Sequence, residues 1–500
     1  MVRTVRRGLR ECIYEGTTLR AGCPPALTQN EKTGSIVGRM IMKILAVVSL
    51  LALVGCQGPP PRKGPPGGTN QTAVRVMMRQ VSPERVKANV DRLAAFGTRH
   101  TLSDTESDTR GIGASRRWIL GEFASYAEAS GRSGDEAMEF FLDSNPVEPD
   151  GRRIGRAVDV QNVVAVLPGS MPEARGRLYY VLGHNDSRNS DANDFTNDAP
   201  GANDDASGVS LLMELARVMS AYRFDSTLVF IATSGEEQGL YGAREHAKKR
   251  VGAGADIRAV LNNDTVGDPS GAYGQDASDE VRVFSEGLPP NVSAEDAGAI
   301  RRLGGENDSS SRQLARYVDE IGQLYKTDVQ ARLIYRHDRF LRGGDHTPFN
   351  ELGVAAVRFV EVHENYDRQH QDVREEDCRS FGDLPEHVDG EYLAGVTRLN
   401  LATLAHLANA PSVPTDARII TADLTNDTTV RWTRSPEPDV AGYVVVWRAT
   451  TSPVWEHARN VGDVSEATIR LSKDNWIFGV RAYDHEGYRS PVATLTAARE

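Results

Sequence analysis

Short apolar runs alternate with helical segments along the chain between residues 81 and 410. A helix is predicted to begin at Ser82-Pro83-Glu84, because proline is favoured at the first helical position. Further helical patterns cover residues 110–126, 208–219 and 311–325. The apolar runs are typical of short buried strands, and they span residues 162–167, 178–182, 227–232, 258–261 and 354–359. This alternation predicts a layered α/β domain with a largely parallel sheet, in which the less regular residues 265–335 form an elaborated connection.

The pattern changes after Ala410, where Pro411-Ser412-Val413-Pro414 has the composition of a linker. Alternating strand patterns without helical periodicity follow at residues 428–432, 443–448, 466–471 and 476–483. A tail of about 90 residues with this pattern favours an all-β sandwich, and we assign it residues 411–500. The tail resembles a fibronectin type III module. The resemblance rests on Trp432, on Val440-Ala441-Gly442-Tyr443 at the start of the next strand, and on the segment from Phe478 to Tyr483. The resemblance implies a spacer or docking role, and the linker predicts that the preceding domain folds and works without it.

The N-terminal region has the pattern of an export signal. Residues 44–54 are apolar and follow Lys43, and this run is too short to span a bilayer comfortably. It ends in Leu53-Val54-Gly55-Cys56, which resembles the lipobox of bacterial lipoproteins and implies lipidation of Cys56. The alternative is a buried helix with a chance cysteine. The Pro/Gly-rich start of residues 57–80 favours a flexible tether and hence the first interpretation. We therefore expect an exported bacterial lipoprotein, anchored outside the cytoplasm in the periplasm or at the cell surface.

Residues 1–39 place an arginine-rich stretch ahead of this otherwise complete signal, so translation is expected to start at Met40 or Met42. In the 500-residue chain, 39% of residues are hydrophobic and 25% are charged, which is typical of a globular protein. The net charge is −11 and no dense Lys/Arg run occurs, which argues against a nucleic-acid partner. The four cysteines form no CxxC pair, so a thiolate zinc site is disfavoured.

Five polar clusters carry the candidate chemistry, and three of them follow predicted strands directly. Because loops from the carboxyl ends of parallel strands converge on one crevice, we expect these side chains to meet there. The clusters are Gly183-His184-Asn185-Asp186-Ser187, Gly201-Ala202-Asn203-Asp204-Asp205-Ala206-Ser207-Gly208, Ser234-Gly235-Glu236-Glu237-Gln238-Gly239, Asn262-Asn263-Asp264 and Glu364-Asn365-Tyr366-Asp367-Arg368-Gln369-His370-Gln371-Asp372.

The clusters together offer two histidines and three carboxylates as metal ligands. Zinc accepts this set, whereas calcium does not normally take imidazole. Five ligands are too many for one tetrahedral zinc with an open position, but they suit two metals bridged by a carboxylate. The same ligand types also accept cobalt or manganese. If residues 236 and 237 are extended, their side chains point in opposite directions, so one can ligate while the other acts as a base.

In this order the clusters resemble the di-zinc exopeptidases, a family that includes bacterial secreted leucyl aminopeptidases, plasma glutamate carboxypeptidase-like enzymes and glutaminyl cyclases. The resemblance covers residues 81–410. It implies a three-layer α/β domain around a mostly parallel mixed sheet, with peptides as substrates. It also assigns roles by position. One zinc takes His184 and Asp264, the other takes Glu237 and His370, Asp204 bridges them, Glu236 is the general base, and the Asp186 carboxylate orients the His184 ring.

The segment Gly344-Asp345-His346 matches a family segment that usually reads Ser-Asp-His, which implies that Asp345 and His346 lie near the substrate. Some relatives have a tyrosine directly before the last histidine. Here Gln369 holds that position, and Tyr366 is the nearest tyrosine. The leading hypothesis is an aminopeptidase in which Glu236 activates a metal-bound water. A glutaminyl cyclase or carboxypeptidase on the same fold, or a catalytically inactive binding protein, are the alternatives.

Overall fold

The computed structural model describes residues 71–422 and 425–498. The predicted signal region, Cys56 and most of the tether lie outside these residues. Within the described part of the chain, no helix combines the length and the apolar character needed to cross a membrane.

The described elements follow the predicted alternation of helix and strand, except that residues 265–335, expected to form a connection, contribute two strands to the central sheet. The helices are α1 (Gln71–Met78), α2 (Pro83–Ala94), α3 (Gly111–Ser130), α4 (Ala206–Met219), α5 (Glu236–Gly239), α6 (Tyr241–Gly252), α7 (Ala294–Arg302), α8 (Ser310–Tyr325), α9 (Thr347–Glu351) and α10 (Gly390–Asn409). The strands are β1 (Glu139–Val147), β2 (Val158–Leu167), β3 (Arg177–His184), β4 (Thr227–Thr233), β5 (Asp256–Asn263), β6 (Glu280–Phe284), β7 (Gln330–Ile334), β8 (Ala356–Glu361), β9 (Arg374–Glu376), β10 (Arg379–Phe381), β11 (Thr415–Ile420), β12 (Thr428–Thr433), β13 (Val440–Ala449), β14 (His457–Gly462), β15 (Glu466–Ile469), β16 (Trp476–Asp484), β17 (Ala493–Thr494) and β18 (Thr496–Ala498).

An eight-stranded mixed sheet forms the centre of the first domain, in the order β1-β2-β4-β3-β5-β8-β6-β7. Its middle strands β4, β3, β5 and β8 run parallel, whereas β1 and β2 are antiparallel additions at one side. Every residue of β4 is buried, as expected for a strand covered by helices on both faces. The predicted α/β class with a mostly parallel mixed sheet is confirmed.

Helix α10 is the largest element that the sequence pattern does not predict. Sixteen of its residues are buried, and it packs against α2 and α8. A helix that is apolar on most of its sides lacks the polar stripe that makes helical periodicity visible in a sequence. It joins the main hydrophobic core with α4, which lies against β3.

The tail forms two four-stranded sheets, β15-β12-β11-β18 and β14-β13-β16-β17, which confirms the predicted β-sandwich. Trp432 lies in its core, with its ring centre 5.4 Å from that of Tyr443. The fibronectin type III assignment of this module stays a prediction.

Buried ion pairs join the sandwich to the first domain. Arg448 of β13 lies 2.8 Å from Asp308, and the side chains of both residues are at most 5% exposed. Glu320 of α8 accepts a hydrogen bond from Arg481 at 2.6 Å. Arg177, at the start of β3, pairs with Glu437 at 2.9 Å. These contacts favour a module that packs firmly on the first domain, a feature that the linker composition of residues 411–414 does not indicate.

Candidate metal centre

The candidate ligands meet at one edge of the central sheet. His184 is the last residue of β3, and Asp264 follows the last residue of β5. Glu237 lies in α5, which begins three residues after β4 ends, and Asp204 lies just ahead of α4. The carboxyl ends of the parallel strands β3, β4 and β5 therefore bring these groups together, as the sequence pattern predicts.

Two clusters of possible metal ligands share Asp204. In the first, His184 Nε2 lies 2.9 Å from Asp204 Oδ1 and 3.9 Å from Asp264 Oδ2. In the second, His370 Nε2 lies 2.9 Å from both Asp204 Oδ2 and Glu237 Oε1. Within each cluster the ligand atoms lie within 4.8 Å of one another. The two oxygens of Asp204 thus face different histidines, which is the arrangement required of a bridging carboxylate.

The donor groups fit divalent cations. The buried Oε1 atom of Glu237 faces His370 Nε2 at 2.9 Å. Burial opposes protonation of His370, yet the Glu237 and Asp204 carboxylates raise the pKa of His370 to about 10. The protein therefore concentrates negative charge around this imidazole, and a cation bound among the same atoms would compensate it. Imidazole together with carboxylate is a donor set for zinc and similar ions.

Three residues outside the predicted set hold the ligands in place. Asp205 caps α4 by accepting a hydrogen bond from Gly208 N at 2.9 Å, and it also accepts one from His184 N at 2.8 Å. Asp383 accepts a hydrogen bond from Asp204 N at 2.7 Å. Arg358 pairs with Asp264 Oδ1 at 2.7 Å. The helix-cap position could have indicated Asp205, but no local pattern marks Asp383 or Arg358, because they reach the site only through the fold.

Glu236 and Glu237 lie in the first turn of the short helix α5, so the expected extended backbone is wrong. Gly235 precedes them with φ of 75°, a left-handed conformation that suits glycine and that starts this turn. Adjacent residues of a helix still point in different directions, about 100° apart. Accordingly Glu237 reaches His370, whereas Glu236 belongs to neither cluster.

Asp186 contacts His184 in a different way from the one predicted. His184 Nδ1 donates to the backbone carbonyl of Asp186 at 2.9 Å, whereas the carboxylate oxygen Oδ1 of Asp186 lies 3.7 Å from the same nitrogen. The carboxylate instead accepts hydrogen bonds from the backbone N–H groups of Glu236 at 3.3 Å and Glu237 at 3.1 Å. A single residue thus fixes the histidine ring with its main chain and the glutamate pair with its side chain.

Of the predicted substrate contacts, Tyr366 lies against Arg342 of the cleft wall, with 5.8 Å between the guanidinium carbon and the ring centre. Asp345 is buried and accepts a hydrogen bond from Thr233 at the end of β4. His346 is fully buried, which lowers its pKa to about 3. Tyr366 is 57% exposed. The described cleft lining includes none of the three, whereas Gln369, ahead of His370, lines it and donates to Asp204 Oδ2 at 2.8 Å.

The cleft has a volume of about 380 Å³. One part of its wall is formed by the metal-ligand candidates and Glu236, and much of the remainder by arginines. This volume lies within the range of small-molecule sites, roughly 300–1,000 Å³. The cleft can therefore bring a short peptide to the carboxylate–histidine clusters.

A probable zinc metalloprotease of Leptosphaeria maculans is 44% identical to this chain over 420 residues, which cover 84% of this chain and 96% of that protein. Residues 162–388 of the chain also match the sequence model of peptidase family M28. This chain belongs to peptidase family M28. As a member of this family, with relatives described as probable zinc metalloproteases, it is a hydrolase of the metallopeptidase class.

Solved structures with a similar fold include the LapA aminopeptidase of Legionella pneumophila. It gives a TM-score of 0.47 at 18% identity, over 68% of this chain and 74% of that chain. A glutaminyl cyclase of Porphyromonas gingivalis gives 0.43 at 15% identity, over 65% of this chain and 97% of that chain. The Leptosphaeria maculans relative is fungal. Similar proteins therefore occur outside the bacterial secreted enzymes that the motifs of this chain resemble.

Proposed function

We propose that this M28 peptidase is a two-zinc aminopeptidase that removes N-terminal residues from peptides. The observation that carries the proposal is a pair of three-ligand clusters sharing Asp204, which open with Glu236 onto one cleft. The description of the fungal relative as a probable zinc metalloprotease supports the choice of metal. Retention of both clusters and of Glu236 argues against a catalytically inactive binding protein.

His184 and Asp264 would hold one ion, and Glu237 and His370 the other, with Asp204 between them. When bound, the two ions would supply Lewis acidity to the substrate carbonyl and to the attacking water. The hydrogen bond that the Asp204 backbone N–H donates to Asp383, and the ion pair of Arg358 with Asp264, keep these carboxylates oriented for that task.

Glu236 would move the proton. It lines the cleft, and its backbone is fixed by the Asp186 carboxylate, yet its own carboxylate is not among the ligand candidates. It would accept a proton from the attacking water and then deliver that proton to the leaving amine nitrogen. General acid–base transfer by one positioned group requires this freedom from metal coordination.

N-acetylation of an otherwise good peptide substrate is expected to lower kcat/KM by about ten- to a hundredfold or more. The reason is that acetylation removes the ammonium group that carboxylates of the metal centre would hold, and charge-assisted contacts of this kind are worth about 1.5–3 kcal/mol. Turnover of free and acetylated forms of one peptide checks this. Faster cleavage of the acetylated peptide at its free C-terminal end would identify a carboxypeptidase, and loss of ammonia from N-terminal glutamine without cleavage would identify a cyclase.

A carboxypeptidase is the second candidate, because a specific observation favours it. Arg153, Arg188 and Arg342 line the cleft together with the clusters. Guanidinium groups bind carboxylates, and a C-terminal carboxylate is the group that a carboxypeptidase must hold. The acetylation experiment separates the two polarities.

A further inference from the structure

The charges that line the cleft divide into two groups. Its carboxylates are the ligand candidates Asp204, Glu237 and Asp264 together with Glu236, so all of them belong to the metal centre or to proton transfer. Its cations include five arginines, namely Arg153, Arg188, Arg339, Arg342 and Arg358. With metal ions bound among the carboxylates, the remaining charged side chains of the wall would be cationic.

Two of these arginines are already paired inside the protein. Arg358 contacts Asp264 at 2.7 Å and Asp338 at 3.0 Å. Arg339 contacts Asp338 at 3.1 Å and also forms an ion pair with Glu364. These two guanidinium groups therefore hold neighbouring carboxylates in place, and these carboxylates compensate their positive charge.

Arg342 is a surplus cation. Glu364 is surrounded by three guanidinium groups, because Arg282 contacts its Oε2 at 2.7 Å and Arg339 contacts its Oε1. Arg342 lies farther from that same Oε1, at 3.7 Å, and its side chain is 30% exposed. Asp338 and Asp264 also take part, but these three carboxylates are shared by four arginines, namely Arg282, Arg339, Arg342 and Arg358. Arg342 is the most exposed of the four, so it keeps positive charge directed at the cleft that it lines.

The contacts of Arg342 also connect it to the metal centre. Its Nη1 donates to Gln369 Oε1 at 3.4 Å, and Gln369 Nε2 donates to Asp204 Oδ2 at 2.8 Å. The guanidinium group is therefore two hydrogen bonds from the shared ligand. The positive charge of Arg188 is also incompletely compensated. Its Nε lies 3.9 Å from Glu237 Oε2, the carboxylate oxygen next to the one that faces His370.

We propose that Arg342, assisted by Arg188, binds a carboxylate of the substrate and makes the enzyme selective for peptides with an anionic group near the scissile bond. The planar guanidinium can bind a carboxylate through two parallel hydrogen bonds, which neutral amides do not match. The carboxylate can be an Asp or Glu side chain or the free C-terminus of a short peptide. The inference rests on the proposed peptidase activity and adds the substrate class that this cleft selects.

The test measures kcat/KM of the metal-loaded enzyme on paired peptides. Ala-Glu amide against Ala-Gln amide isolates a side-chain carboxylate, and Ala-Gln against Ala-Gln amide isolates the terminal carboxylate. The wild-type enzyme is expected to prefer the anionic member of at least one pair by about tenfold or more. Arg342→Gln should abolish that preference while leaving turnover of the neutral peptide within a few fold, and Arg342→Lys should restore part of it.

Arg282→Gln is the matched control, because Arg282 holds the same Glu364 but is not part of the described cleft lining. It should keep the wild-type preference, which separates a substrate contact from simple support of Glu364. Equal kcat/KM for both members of both pairs in the wild type, or an unchanged preference in Arg342→Gln, would overturn the inference while leaving peptidase activity intact.

Calorimetric binding of glutarate to metal-loaded protein provides a readout that needs no turnover. Arg342→Gln should weaken glutarate binding by about tenfold, whereas Arg282→Gln should leave it unchanged. Equal glutarate affinity in the wild type and Arg342→Gln would contradict the inference. Failure of the wild type to hydrolyse any peptide would instead contradict the proposed function.

Discussion

Replacement of Glu236 by glutamine is expected to lower kcat by about 10²–10⁴-fold without loss of bound metal. Glutamine keeps the shape of the side chain but cannot accept the proton, and Glu236 belongs to neither ligand cluster. KM should change little, because the ions and the cleft wall that bind the peptide are preserved. Steady-state kinetics and metal analysis on the same preparation measure both quantities.

Glu237→Gln is the matched control, since it makes the same chemical change one residue away. Glu237 Oε1 lies 2.9 Å from His370 Nε2 in the second cluster, so this variant should lose metal as well as activity. The hydrogen bond from its backbone to Asp186 is unaffected by the change. Equal metal loss in the two variants, or near-normal kcat in Glu236→Gln, would show that the roles are assigned wrongly.

Replacement of Arg448 by methionine is expected to lower the free energy of unfolding by about 3 kcal/mol, because it leaves a buried carboxylate with one fewer partner. The carboxylate is that of Asp308, which would retain its 2.8 Å contact with Arg316 and a 3.1 Å hydrogen bond from Gln313 but lose its second cation. Removal of all residues after Ala410 should destabilise the first domain more than the Arg448→Met replacement does. That truncation would also expose Glu320 and uncover Tyr317, whose hydroxyl donates to the backbone of Arg489 at 2.8 Å. The truncated protein is therefore expected to be insoluble or poorly folded.

Urea unfolding of full-length variants measures the effect, and Arg431→Met is its control. Arg431 and Glu466 form an ion pair within the sandwich at 2.7 Å, but their side chains are about half exposed, at 52% and 48%. Exposed pairs contribute about 1 kcal/mol or less, so this change should have little effect. Similar losses in the two variants, or a soluble and active protein ending at Ala410, would show that the module is an independent appendage.

The predicted features that depend on local pattern agree closely with the structure. The apolar run at 227–232 became β4 (Thr227–Thr233), and the helical pattern at 208–219 became α4 (Ala206–Met219). His184 and Asp264 could be placed together in advance because each lies at the carboxyl end of a parallel strand, and the ends of such strands share an edge. Geometry of this kind is encoded within a few residues of each ligand.

The features that escaped prediction depend on contacts between distant parts of the chain. Arg358 reaches Asp264 from β8, and Asp383 reaches the Asp204 backbone from 179 residues away. The surplus charge of Arg342 is apparent only when Glu364 is seen to be shared by three arginines. A sequence shows the residue types in such networks but not which cations compete for which carboxylate.

The most direct test of the two-zinc centre is the number of zinc ions bound per chain after metal-free protein is loaded and dialysed. The wild type should bind two, because the two clusters share only Asp204. Asp264→Asn and His370→Ala, each in a different cluster, should each bind one, and Asp204→Asn should weaken both sites. A wild-type content of one zinc per chain, or equal zinc content in the wild type and both single-cluster variants, would contradict the account.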